Sequence, residues 1–208
     1  MTEAWQDTLK FALTLVSILN PLGVLPVFIE LTNDFSHDGL KSVAKSCALT
    51  VAITIIISLA IGQQILGFFS ISIPSFTIGG GILIFTMALN MIQAKQSAIK
   101  INKSETTLQE IGVVPLAIPL LAGPGAISTS IIYAKDISGV GHWIGAITSI
   151  VLLSIILLFV LSSARRIRDH VGKMGLNIFT RIMGIILLSM SIEMIFNGLK
   201  EMGVFGTV

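Results

Sequence analysis

Long apolar runs constrain this chain more than any other feature. The stretch "FALTLVSILNPLGVLPVFIEL", residues 11–31, is one of several. They approach or reach about 20 residues, the length of an α-helix that spans a bilayer. They are apolar on all sides, whereas a transmembrane barrel strand alternates. Only 12% of the residues are charged and 53% are hydrophobic. A soluble domain carries about 25% charge, so this chain cannot cover itself with a solvated surface. The expected class is an all-α membrane protein, a single integral domain over residues 1–208 with the lipid bilayer as its first partner. The formal net charge is +2, with Lys and Arg scattered between the runs, so nucleic acid is not an expected partner. The single cysteine, Cys47, lies in an apolar run and reads as a small packed hydrophobe. The start, "MTEAWQDTLK", is acidic before Lys10 and lacks the basic n-region of a cleavable signal.

Six spans can be drawn, at roughly 8–31, 44–62, 74–93, 111–133, 142–163 and 177–199, with ends uncertain by about four residues. Lys41, Lys45, Lys95, Lys100, Lys103, Arg165, Arg166, Arg168 and Lys173 fall on one side. Lys10, Lys135 and Lys200 fall on the other. Basic residues concentrate in cytoplasmic loops. The larger group is therefore expected inside, with both termini outside.

The chain also repeats itself. A shift of 103 residues lays "ISIPSFTIGGGILIFTMALNMI" (71–92) on "MGLNIFTRIMGIILLSMSIEMI" (174–195). Seven positions are identical, among them Gly81/Gly184, Met87/Met190 and Met91/Met194. Chance in so biased a composition gives about two. The same shift puts Pro21 on Pro124, and "NPLG" (20–23) on "GPGA" (123–126). The repeats run over about 8–95 and 108–200. Three spans per repeat is an odd number, so the second half enters the membrane inverted. The expected fold is thus six transmembrane helices as a 3+3 inverted repeat with broken first and fourth helices. Transporters are built this way, with the solute site near the midplane.

The Pro–Gly motifs explain where such a site would lie. A broken helix is tolerated inside a membrane where its freed backbone groups find partners or line a cavity. One half-helix ends in bare carbonyls and the next begins with bare N–H groups. The first end is partly negative and the second partly positive. Two opposed breaks offer both poles to a zwitterionic amino acid without a charged side chain. Asn20, Pro21, Gly23, Gly123, Pro124, Gly125, Ser128 and Thr129 are the candidate substrate-binding residues, with Ser17 adding a neutral hydrogen bond. The bland alternative is a pair of plain proline kinks.

Glu193 is the most deeply embedded acid, and Asn90 is its repeat partner. An intramembrane carboxylate suggests proton coupling. Two other readings stand beside it: a hydrogen bond to the break in the fourth span, and a place at the interface, since Glu193 lies about 8 Å outward from the middle of its span. Glu30 reads as interfacial, Gly79-Gly80-Gly81 as a close-packing surface, and the paired methionines as core filler. His37, His142 and His170 fall in or near loops, with no nucleophile–base pair evident and no metal-ligand spacing. No enzymatic activity, cofactor or metal is expected. The connector "AKQSAIKINKSETTLQE" (94–110) is too short to dock a partner.

"NPLGVLPVF", "GVVPLAIPLLAGPGAIS" and "NIFTRIMGIILLSMSIEMI" resemble the MarC family of bacterial inner-membrane proteins, which includes SnatA-type transporters. The resemblance covers nearly the whole chain. It implies a six-helix inner-membrane protein with an inverted repeat, for which the Lys and Arg count puts both termini in the periplasm. Some members of the family carry small neutral amino acids such as glycine and alanine. The expectation is a secondary transporter of such solutes. The alternatives are an exporter of another small solute and a non-transporting membrane partner or assembly protein. Neither the coupling ion nor the oligomeric state follows from the sequence.

Overall fold

A computed structural model of the chain describes residues 2–32, 35–93, 121–135, 137 and 139–204. Seven helices and no strand occur among them: α1 Thr2–Leu19, α2 Leu25–Thr32, α3 His37–Phe68, α4 Ile73–Ile92, α5 Pro124–Lys135, α6 Val140–Ser162 and α7 Ala164–Glu201. The helices begin and end where local chemistry requires it. Ser36 caps α3 by accepting from the Gly39 N–H at 3.1 Å, and Ser72 caps α4 by accepting from the Ser75 N–H at 3.2 Å. After α3 the chain reverses through Ser70, whose φ of 55° is left-handed. The Ile71 N–H reaches back to the Leu66 carbonyl at 2.9 Å, and the Ser70 N–H to Gly67 at 3.0 Å, a Schellman closure. α7 closes in the same way through Gly203.

Among the described residues, four segments are long and apolar enough to cross a membrane: α3, α4, α6 and the Met174–Glu201 part of α7. α7 is bent at Gly172, whose φ of 70° and ψ of 170° are not helical, and its basic first part lies before that bend. The expected span 44–62 is a 32-residue helix, about 48 Å long at 1.5 Å per residue. It outruns the hydrocarbon core because backbone hydrogen bonding continues past the apolar section, through Lys41 and Lys45 at one end and Gln63 and Gln64 at the other. The expected first span is two helices, α1 and α2, joined by a turn. Only the latter part of the expected fourth span is described, as α5. Residues 94–120, with the connector and Lys95, Lys100 and Lys103, lie outside the described residues, as do the side chains of Glu30 and Lys173.

The packing follows from which face of each helix meets protein. On α3, Cys47, Val51, Ile55 and Leu59 recur every four residues and are buried. Leu49, Ile53, Ile57 and Ile61 are as apolar and are exposed. An apolar residue on the outer face is what a lipid-facing helix needs, so the interior is distinguished by close fit rather than by polarity. α3 packs on α6 and α5, α1 packs on α6, and α4 lies along α7. Hydroxyls within the helices are satisfied locally, as the membrane demands: Ser58 donates to the Thr54 carbonyl, Ser130 to Ala126 and Ser154 to Ile150.

The α4–α7 contact has an internal symmetry. A methyl group placed on Gly81 would lie 2.7 Å from Ile195 Cγ1 and 3.0 Å from the Ser191 carbonyl oxygen. One placed on Gly184 would lie 2.9 Å from Ile92 Cγ1 and 3.2 Å from the Ala88 carbonyl oxygen. The 103-residue shift exchanges these partners: Gly81 with Gly184, Ala88 with Ser191, and Ile92 with Ile195. Each glycine therefore admits the same stretch of the opposite helix.

Candidate functional site

The break in the first span is built by Asn20. The residue takes a φ of 40°, which Asn tolerates better than most side chains, and this ends α1. Its N–H still closes α1 by donating to the Val16 carbonyl at 3.0 Å. Its carbonyl accepts from the N–H groups of Gly23 and Val24, which starts the next turn. Its side-chain Oδ1 accepts from the Gly23 N–H at 3.1 Å. The amide then folds over Gly23 so closely that a methyl there would fall 2.3 Å from Nδ2. Pro21 and Gly23 are buried beneath this turn. Asn20 Nδ2 itself is buried and has no hydrogen-bond partner among the described residues. Leaving a buried donor unpaired costs about 1–3 kcal/mol, so this atom marks a place where an acceptor belongs.

The second expected break falls at the start of α5. Leu121, Ala122 and Gly123 are buried and not α-helical, and Pro124 opens the helix. Proline suits this first position because its missing N–H would have no partner there. The Gly123 carbonyl accepts the first bond of the helix, from the Ile127 N–H at 3.1 Å. The N–H groups of Gly125 and Ala126 fall in the first turn, where a helix supplies no internal acceptor. Gly125 brings this turn against both neighbours: a methyl on it would lie 3.1 Å from Ile18 Cγ2 and 3.1 Å from Met194 Cε. The amino end of α5 therefore packs on the last turn of α1. A partly positive pole and a partly negative pole meet there.

The other expected residues divide. Ser128 is buried, and its hydroxyl is hydrogen-bonded to that of Thr77 at 3.0 Å, which ties α5 to α4. Gly80 completes that contact, since a methyl on it would lie 2.2 Å from Pro124 Cβ. Thr129 is half-buried and lines a cavity of about 400 Å³ between α1, α5 and the start of α6. Ser17 is exposed and donates to the Leu13 carbonyl of its own helix, so it adds nothing to the break. Glu193 is exposed on α7 and accepts from Asn197 Nδ2 at 3.2 Å. This bond stays within α7, where a bond to the second break was one of the expectations. Its repeat partner Asn90 is likewise exposed, on α4. Neither is brought to the breaks, because a shift of a few residues along a helix rotates a side chain to another face.

The sequence reading passed over the cavity. Asp7, Lys10 and Thr14 line it from α1, Tyr133 from α5 and His142 from α6. Tyr133 is held by stacking on Phe11, with ring centroids 4.2 Å apart and planes at 15°, and by a 3.4 Å hydrogen bond with Thr8. A partial signal existed: Asp7, Lys10 and Thr14 share one face of a helix by their spacing, although polar neighbours such as Gln6 and Thr8 blur the pattern. No group of three or more metal-ligating side chains occurs among the described residues.

Four helices among the described residues are long and apolar enough to cross a membrane, and together they define an integral α-helical membrane protein. The model of the MarC family of integral membrane proteins matches residues 5–203, so the chain belongs to that family. UPF0056 membrane protein PH0760 of Pyrococcus horikoshii is 38% identical over 99% of this chain and 100% of its own length. UPF0056 membrane protein YhcE of Escherichia coli is 40% identical over 94% of this chain and 92% of its own. A UPF0056 membrane protein of Aquifex aeolicus is 32% identical, over 93% and 92%. No solved structure matches the chain.

Proposed function

We propose that this protein is a secondary transporter of small neutral amino acids of the glycine, alanine and serine kind, bound near the membrane midplane between the two interrupted helices. The protein moves its solute and does not transform it. In this reading the chain has six spans in a 3+3 inverted repeat, sits in the inner membrane and has both termini in the periplasm. The reciprocal packing of Gly81 and Gly184 supports the repeat, since a two-fold relation between the halves requires that exchange of partners. The Lys and Arg distribution supports the orientation.

The observation that carries the reading is Asn20 Nδ2, a buried donor without a partner at the turn between α1 and α2. A solute carboxylate supplies the missing acceptor. The N–H groups of Gly125 and Ala126 stabilise the same carboxylate, in the way helix amino ends hold anions. The carbonyl end of α1 takes the ammonium.

Purified protein reconstituted into liposomes should take up labelled glycine, alanine or serine with saturation. Absence of uptake and of binding across a panel of small neutral amino acids would reject the reading and favour a partner or assembly role.

A further inference from the structure

We propose that the cavity between α1, α5 and α6 is a second binding site, a vestibule where a zwitterionic amino acid exchanges its two charges with the Asp7–Lys10 ion pair. The inference rests on the transport reading for its solute class but concerns different residues. Lys10 Nζ lies 3.2 Å from Asp7 Oδ1. Their side chains are 75% and 48% exposed, and a pair in that setting contributes little to stability. Opening it therefore costs little. An α-carboxylate replaces Asp7 on the Lys10 ammonium, and an α-ammonium replaces Lys10 on the Asp7 carboxylate. Both charges of the protein and both of the solute end up paired. A solute with one charge can satisfy only half of the arrangement.

The rest of the cavity suits the same ligand. Its volume of about 400 Å³ is at the small end of ligand sites. Thr14 lies on the same face of α1 as the pair, one turn beyond Lys10. Tyr133, fixed by Phe11 and Thr8, forms a stiff wall, and His142 closes the side formed by α6. Among the described residues, Asp7, Lys10 and His142 are the charged or titratable groups lining it apart from the Tyr133 phenol. Thr129 lies at the far wall, one helical turn along α5 from Gly125. That is about 6 Å at 1.5 Å per residue, so the vestibule ends beside the second break.

The test uses protection of an introduced thiol in the full-length purified protein. Cys47 is buried, so a cysteine at Thr14→Cys is the thiol within reach of a charged maleimide. Saturating glycine should slow its labelling at least threefold, with propionate and ethylamine each protecting less. Protection should persist at the same glycine concentration with Asn20→Gly, which weakens the midplane site about 10- to 100-fold, and vanish with Asp7→Asn plus Lys10→Gln. The charge swap Asp7→Lys plus Lys10→Asp should restore it, which separates charge pairing from damage to the fold. A thiol at position 14 that is unreachable, or that glycine fails to protect, overturns the vestibule, even if wild-type uptake is normal. Protection that disappears with Asn20→Gly also overturns it, since one site then accounts for both effects. Protection without uptake by the wild type would leave the vestibule standing and reject the transport reading.

Discussion

Asn20 uses the two ends of its amide differently. Oδ1 holds the Gly23 N–H and shapes the turn, while Nδ2 has no partner among the described residues and is the donor that the proposed function assigns to the solute. Substitutions separate these uses. Asn20→Gly keeps a residue at ease with a φ of 40° and loses the cap, which costs only a few tenths of a kcal/mol. It also removes the donor. A hydrogen bond to a charged group contributes about 1.5–3 kcal/mol, and tenfold in affinity is about 1.4 kcal/mol, so KM for glycine uptake should rise about 10- to 100-fold. Asn20→Ala should show the same loss of uptake plus about 1 kcal/mol of destabilisation, because alanine keeps a Cβ in the left-handed region and loses the local amide hydrogen bond that offsets it, read as a lower unfolding midpoint in detergent. Unchanged uptake by both variants would reduce the break to a kink. Gly23→Ala is the complementary case. Its methyl meets the movable end of the Asn20 side chain, so the amide swings away, stability barely changes and uptake falls. Glu193 should behave otherwise. It is exposed and paired with Asn197 on its own helix, so Glu193→Gln should leave the pH profile of uptake between about pH 5 and 8 as in the wild type. A flattened profile in that variant would return Glu193 to the coupling route.

At the scale of elements, glycines set how closely the helices approach. The contact of Gly80 with Pro124 differs in kind from that of Gly23 with Asn20. The atoms opposite Gly80 belong to a proline ring, including Cα at 3.3 Å, and cannot rotate away. Gly80→Ala must therefore push α4 off the start of α5. Overpacking of this sort costs about 1–3 kcal/mol, and the Thr77–Ser128 hydrogen bond should be lost with it. A thermal-shift measurement in detergent checks the cost, and a midpoint equal to that of the wild type would refute the contact. Ser70 offers the opposite sign. It occupies the left-handed position of a Schellman turn that most helices give to glycine. Ser70→Gly should raise stability by about 1 kcal/mol, with uptake unchanged because the turn is remote from both breaks.

For the molecule as a whole, the two ends of the bundle differ. Arg165 donates to the Phe35 carbonyl at 2.5 Å and so ties the start of α7 to the connection between α2 and α3. Asp7, Lys10, Lys135 and His142 gather at the opposite end, around the cavity and the α5–α6 connection. If the proposed orientation holds, tags at both termini are accessible in intact spheroplasts and a tag in the connection between α2 and α3 is protected. Protection of both termini would invert the molecule and place the vestibule on the cytoplasmic side.

The apolar runs alone determined that the chain is helical and membrane-embedded, because a bilayer accepts no other use for such segments. The turn at Asn20-Pro21 and the helix start at Pro124 also fall where the sequence has proline, which acts on the backbone locally. The repeat in sequence anticipated that Gly81 and Gly184 are equivalent; only the packed helices show each admitting the same stretch of the other. What a side chain faces was not legible in the same way. Ser17 looked like a hydrogen-bonding group at the break, and Glu193 with its repeat partner Asn90 like coupling or polar support, yet all three are exposed, because facing depends on helix rotation and neighbours rather than on composition. Ser128 looked like a ligand group and is a tie to Thr77. Asp7, Lys10, Tyr133 and His142 are separated by up to 135 positions in the chain and share one cavity. Helix packing brings them together through contacts distant in sequence, which neither local propensity nor periodicity encodes.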